Sequence, residues 1–265
     1  MFEVKICLLT SGSVGNVAII EHERESILID CGVTFKKFTE LISQTDLAVG
    51  KVKNVLITHE HSDHIKGLGI ITQKLDLGVW STKKTADAIY GKGIFKNRDF
   101  EVNCVDKYQE YEIAGFKITP FPLSHDAADP VGYAIKKDGK KVVYLTDTGY
   151  VSKEVMKVIS GANLYIMEMN HNVEMLHTCE RPWTLKQRIL SDYGHLSNED
   201  GAYVFSKMMT DKTRHIFLSH ISQDANRADI ALMTLKQVLA EYRIDTSRLS
   251  MHMTYPMRPS NVVEI

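Results

Sequence analysis

Six consecutive positions, His59-Glu60-His61-Ser62-Asp63-His64, bring three imidazoles and the Asp63 carboxylate together, directly after the β-branched run Val55-Leu56-Ile57-Thr58. An extended chain points alternate side chains to one side, so His59 and His61 can grip one ion together. Asp63 and His64 stand one turn further on, free to reach a second ion. Leu68, Ile71 and Leu75 then recur at helical spacing, which sets the loop between the end of a strand and the start of a helix. Such a loop needs a rigid α/β scaffold behind it to aim its ligands.

Three downstream segments and one upstream repeat a single design, an apolar extended run that ends in a ligand-capable side chain. They are Pro122-Leu-Ser-His125, Val143-Tyr-Leu-Thr-Asp147, Ile216-Phe-Leu-Ser-His220 and Ile27-Leu-Ile-Asp30. Each delivers its residue at the carboxyl end of a strand, where open sheets place their sites. With these, two divalent ions can be built. His59, His61 and His125 hold the first, Asp63, His64 and His220 the second, and Asp147 bridges them, with an open position left for a reacting water. Asp30 is expected behind the ligands, fixing the tautomer of an imidazole. Nitrogen-rich ligation favours Zn2+, with Mn2+ or Fe as alternatives where carboxylates contribute.

The chain has 265 residues, 44% of them hydrophobic and 25% charged, enough to bury a substantial core. No apolar run approaches the ~20 residues of a spanning helix, so no membrane partner is expected. The opening Met1-Phe2-Glu3-Val4-Lys5 lacks the pattern of a secretion signal, which points to the cytoplasm. Cys7, Cys31, Cys104 and Cys179 form no CxxC pair and read as packing residues. A formal net charge of -1 excludes a strongly basic coat for nucleic acid but not a nuclease with local basic contacts. Repeats, low-complexity tracts and Pro/Gly-rich linkers are absent, so one domain over residues 1–265 is expected. Strands are expected at 4–9, 17–21, 26–30, 55–58, 116–121, 131–135, 142–145, 164–168 and 215–219. Helices are expected at 35–42, 153–159, 184–191, 198–209 and 225–242. The middle, 78–145, reads mostly as short strands. Two strand-rich portions, each ending in helices, predict two packed sheets with helices outside.

In that order Asp30, Thr58-His-Glu-His-Ser-Asp-His64, His125, Asp147 and His220 resemble the signature motifs of the metallo-β-lactamase fold hydrolases. Finer blocks resemble one branch, the YycJ (WalJ) proteins. These are Thr10-Ser-Gly-Ser-Val-Gly-Asn16, Ser124-His-Asp-Ala-Ala128, Leu145-Thr-Asp-Thr-Gly-Tyr-Val-Ser152, Asn170-His171 with Glu174-Met-Leu176, and Arg188-Ile-Leu-Ser-Asp-Tyr-Gly-His-Leu-Ser-Asn198. The chain departs from that pattern at Asn172. The resemblance implies a four-layer αββα sandwich and a metal-dependent nuclease, a DNA exonuclease in that branch.

His195 discriminates between reactions. Ser197 reads as an N-cap with Asp200 at the N3 position, so His195 sits just before a helix start and can project into a cleft. A positioned imidazole can protonate a departing alkoxide. His195 resembles the histidine that serves this purpose in RNase Z and PhnP, phosphodiesterases of the same superfamily. Catalysis is therefore expected of His195 and Asp63. Substrate contacts are considered for Ser13 and Asn16, although a tight turn explains that loop better, for Asn170 and His171 on the strand-end rim, where loop hydrogen bonding explains them equally well, and for a basic helix with Arg181, Lys186 and Arg188. The expected function is a two-metal phosphodiesterase on nucleic acid, with DNA favoured over RNA. The alternative is a small-molecule hydrolase of the fold, a cyclic phosphodiesterase or a glyoxalase II-like thioesterase.

Overall fold

A computed structural model describes residues 3–23, 25–95 and 100–265. One sheet contains β1 (Val4–Thr10), β2 (Val17–His22), β3 (Glu25–Ile29), β4 (Val52–Leu56), β5 (Gly78–Ser81), β6 (Val102–Cys104) and β14 (Val263–Glu264), in the order β14-β1-β2-β3-β4-β5-β6. The other contains β7 (Tyr111–Ile113), β8 (Phe116–Pro122), β9 (Val131–Lys137), β10 (Lys140–Leu145), β11 (Leu164–Glu168), β12 (His215–Ser219) and β13 (Ser250–Met253), in the order β13-β12-β11-β10-β9-β8-β7. Both sheets join an antiparallel half to a parallel half. Strands β3 to β6 run parallel in the first sheet, and β10 to β13 run parallel in the second.

The burial pattern follows from two covered faces. In β2 every residue is buried, because Ala18 and Ile20 point to the opposite sheet while Val17 and Ile19 point to the helices. Between the sheets Ile6, Leu8, Ile20 and Ile29 meet Tyr133, Tyr144, Ile166 and Phe217. Outside the first sheet pack α1 (Phe35–Ile42), α3 (Leu68–Leu75) and α4 (Lys83–Gly91), through Phe38, Leu41, Leu68, Ile71 and Ile89. Outside the second pack α5 (Lys153–Ile159), α8 (Asn198–Met208) and α9 (Ala228–Glu241), through Val155, Ile159, Phe205, Leu235 and Leu239. This is the expected αββα sandwich. Side-chain caps start several helices: Thr34 accepts from the Lys37 amide, Ser152 from Val155 and Ser197 from Asp200.

The strands expected in the sequence are present, with ends that move by a few residues. Four further elements lie outside the sequence expectations: α4, which interrupts the stretch expected as strands, α6 (Val173–Thr178), and the edge strands β13 and β14. The helix expected from residue 225 starts at Ala228. Cys7 and Cys31 are buried as packing residues, but Cys104 is exposed.

Backbone bonds bolt the histidine loop to the scaffold. The Asn16 amide donates to the Asp63 carbonyl at 2.8 Å, Cys31 to His64 at 2.7 Å, and Gly32 to Asn16 at 2.9 Å. A β-carbon on Gly32 would lie 1.7 Å from the Asp63 carbonyl oxygen and 2.5 Å from the Asn16 amide nitrogen. Gly32→Ala should therefore destabilise the protein by about 3 kcal/mol, lowering Tm by roughly 6–12 °C for a chain of this size. Gly50→Ala, which would meet nothing within 4 Å, serves as the control. Equal melting temperatures for the two variants would contradict this packing.

Candidate metal centre

Five site residues lie at or just past the carboxyl ends of strands that share one edge of the sandwich. Asp30 follows β3, His125 follows β8, Asp147 follows β10, Glu168 closes β11 and His220 follows β12. Asp30, Asp147 and His220 take the left-handed backbone conformation, with φ of 61°, 59° and 55°. Non-glycine residues there carry strain of order 1–3 kcal/mol, which the surrounding hydrogen bonds hold in place. His61 caps α2 (Ser62–Ile65), whose first turn carries Asp63 and His64.

The side chains converge. The rings of His59, His61 and His125 stand edge to face, with centroids 4.5, 5.2 and 5.1 Å apart. His64 Nε2 is 3.5 Å from Asp63 Oδ2 and 3.4 Å from Asp147 Oδ2, and His220 Nε2 is 3.5 Å from Asp147 Oδ1. Ligand atoms gather within 4.8 Å of one another in the sets His59-His61-His125, Asp63-His64-His220 and His59-His64-Asp147. The structure thus brings together all seven residues expected as ligands.

Four of their imidazoles, those of His59, His64, His125 and His220, share a mode of anchorage. His64 Nδ1 donates to Asp30 Oδ2 at 2.7 Å, His220 Nδ1 to Glu168 Oε1 at 2.8 Å, and His125 Nδ1 to the Gly194 carbonyl at 3.0 Å. His59 Nδ1 lies 3.0 Å from Thr58 Oγ1, a hydroxyl that itself donates to Asp30 at 2.8 Å. With Nδ1 held from behind, each ring turns Nε2 into the cleft. The buried Nε2 atoms of His59 and His220 and Oδ2 of Asp147 find no hydrogen-bond partner among the described residues. Leaving such atoms unmatched costs roughly 1–3 kcal/mol each, and divalent cations would satisfy them. This donor set, imidazole nitrogens with two carboxylates, therefore fits divalent metal.

Electrostatics agree. Burial disfavours charge on His64 and His220, but neighbouring carboxylates outweigh it. Asp147 and Asp30 raise His64 well above the usual imidazole range, and Asp147, Asp63 and Glu168 lift His220 to about 10. Burial and then the neighbouring rings of His64, His125 and His61 push His59 well below it. Burial raises Asp147 and Asp63, yet the imidazoles reverse the balance and lower both. The carboxylates thus set up a negative potential around His64 and His220 that favours positive charge there.

Glu168 is the functional residue that sequence reasoning missed. It is fully buried, and Oε1 takes His195 Nδ1 at 2.9 Å as well as His220, while Oε2 takes the amides of Thr148 at 3.0 Å and Leu196 at 3.2 Å. It ends the apolar run Leu164-Tyr-Ile-Met, the same signal that marked His125, Asp147 and His220. His195 stands at the cleft, with its ring centroid 5.0 Å from His125 and 5.2 Å from His220.

The remaining candidates divide. Asn16 is buried, with its amide 3.1 Å from His64 Nε2 and on the Gly12 carbonyl, so it braces the site, while Ser13 is exposed on the turn. Asn170 donates to the His220 carbonyl at 2.9 Å. His171 is buried, its ring nitrogens have no hydrogen-bond partner among the described residues, and burial lowers its pKa to about 4. Lys186 does not serve as a free phosphate contact, because it is buried in α7 (Trp183–Leu190) with its ammonium on the His177 carbonyl at 2.7 Å. Arg181 pairs with Asp224, and Arg188 pairs with Asp126 beside His125.

The sandwich and its strand-end cluster define a metal-dependent hydrolase. Residues 25–221 match the family model described as the beta-lactamase superfamily domain, and the chain belongs to that metallo-β-lactamase superfamily. It is 38% identical over 257 residues to "Exodeoxyribonuclease YycJ" of Bacillus anthracis, covering 96% of this chain and 97% of that one. It is also 38% identical to "Exodeoxyribonuclease WalJ" of Streptococcus pneumoniae strain D39, over 89% of this chain and 88% of that one. Among solved structures, the metallo-β-lactamase fold protein YhfI of Bacillus subtilis shares the fold at 16% identity, with a TM-score of 0.74 and full coverage of both chains. Human tRNase Z, short form, does so at 16% identity and a TM-score of 0.62, over 83% of this chain and 93% of that one.

The His220 shift fixes a pH dependence for metal-free protein. A folded pKa of about 10 against about 6.5 unfolded contributes stability that is complete below the unfolded value and is lost as pH rises toward the folded one. Melting temperature should fall between pH 7 and pH 10, and fall less steeply in His220→Gln. Identical slopes for the two proteins would contradict the carboxylate cage around His220.

Proposed function

We propose that this protein is a two-metal phosphodiesterase acting on nucleic acid, and that it removes nucleotides from DNA ends. The observation that carries the reading is His195, held at the cleft by Glu168 and aimed at the same space as the candidate ligands. The two relatives named exodeoxyribonucleases, matched over nearly the whole chain, support DNA as substrate.

His59, His61 and His125 would hold one ion, Asp63, His64 and His220 the other, and Asp147 would reach both. The nitrogen-rich set suits Zn2+, with Mn2+ or Fe as alternatives. Bound divalent ions neutralise phosphate charge and lower the pKa of water. The chain's own groups do the rest. His195, held through Nδ1 by Glu168 Oε1, would present Nε2 to the leaving oxygen and deliver a proton there. Asp30, Thr58 and Gly194 hold the ligand rings in the required tautomer.

His195→Ala should retain its metal and lose ~10²–10⁴-fold in rate on an ordinary phosphodiester, whose alkoxide needs a proton. The loss should shrink on a p-nitrophenyl ester, whose leaving group departs unaided. Equal losses on both substrates would remove His195 from the acid role, and loss of metal would make it a ligand. In a companion test, Asp63→Ala should bind one ion fewer and turn over nothing. Full metal content with full activity in that variant would overturn the ligand assignment.

A further inference from the structure

Two tyrosines on segments that build the metal centre reach into solvent: Tyr150 is 54% exposed and Tyr193 64%. Among the described residues, neither tyrosine ring packs against another aromatic ring. Both tyrosines belong to the segments that build the site. Tyr193 precedes Gly194, whose carbonyl orients His125, and stands two residues before His195. Tyr150 closes the turn that begins at Asp147, with its carbonyl accepting from the Thr148 hydroxyl at 2.8 Å and the Thr148 amide donating to Glu168.

These two segments are in contact. A β-carbon on Gly149 would lie 2.3 Å from the Ser191 carbonyl oxygen, and the Gly149 amide donates to the Ser124 carbonyl at 2.9 Å. On the same rim Arg188 pairs with Asp126, whose Oδ1 is 3.5 Å from His125 Nε2. Two exposed tyrosines therefore stand on contacting segments, each tied through the backbone to residues of the candidate site.

We propose that Tyr193 and Tyr150 form a stacking platform for unpaired nucleobases next to the scissile phosphate. The proposal rests on the nucleic-acid phosphodiesterase reading and narrows its substrate to single strands and frayed ends. Stacking suits an enzyme without sequence preference, because every base has a π face. Rings this exposed gain by covering their faces with another ring.

The test measures KM and kcat separately for wild type, Tyr193→Ala, Tyr150→Ala and the two Phe variants. One substrate is a single-stranded oligodeoxynucleotide and the other is the same strand with abasic terminal nucleotides. On the base-bearing strand each Ala variant should raise KM on the order of tenfold with little change in kcat, while the Phe variants match wild type. On the abasic strand all five proteins should coincide. Unchanged KM in both Ala variants, with wild type cleaving normally, overturns the platform and leaves the phosphodiesterase reading standing. If wild type degrades the duplex form of the base-bearing strand but neither single strand, the platform fails and the phosphodiesterase reading stands; if it degrades none of the three, that reading fails and the platform with it.

Discussion

One oxygen of Glu168 holds two imidazoles, and the geometry of the site depends on that shared bond. Burying this carboxylate is costly. Burial pushes its pKa up, yet His195 and His220 reverse the balance and hold it well below the usual carboxylate range. An ionised, acceptor-only group at this point fixes Nδ1–H as donor on both rings. The same tautomer leaves Nε2 of both rings outside that bond, so in the proposed function one residue would couple ligation to acid chemistry.

Sheet order makes that sharing possible. Strands β10, β11 and β12 are parallel neighbours, so Asp147, Glu168 and His220 emerge side by side at one edge. On the facing sheet β3 and β4 are parallel neighbours as well, and deliver Asp30 and the His59 to His64 loop to the opposing lip. The large residues packed between the sheets, Tyr133, Tyr144 and Phe217 among them, lock the two lips together. Close packing of this kind resists small displacements, and rigid ligand placement follows from it. The left-handed turns at Asp30, Asp147 and His220 then swing side chains from each strand end into the cleft.

Much of this could be read from the residues alone. The spacing in His59-Glu60-His61-Ser62-Asp63-His64 and the apolar runs ending at His125, Asp147 and His220 carry a local signal, because extended backbone and ligand chemistry are both short-range properties. Glu168 ended an equally apolar run but escaped notice, since a buried carboxylate behind two rings contributes through partners 27 and 52 residues away. Lys186 misled for the opposite reason. A lysine on a polar helix looks solvated, and only the tertiary fold shows its ammonium capping the end of α6 at His177. Edge strands β13 and β14 are too short for their periodicity to show, and α4 has the threonine-capped start that its polar composition conceals.

Imidazoles fixed from behind through Nδ1 turn Nε2 into the cleft, where the proposed function needs two ions. Anomalous-difference maps from crystals grown with zinc would locate them. The expected result is two peaks about 3.5–4 Å apart, both bonded through Nε2, one to His59 and His125 and the other to His64 and His220, with Glu168 bonded to neither. A single peak, ligation of His220 through Nδ1, or a direct bond from Glu168 to metal would contradict it.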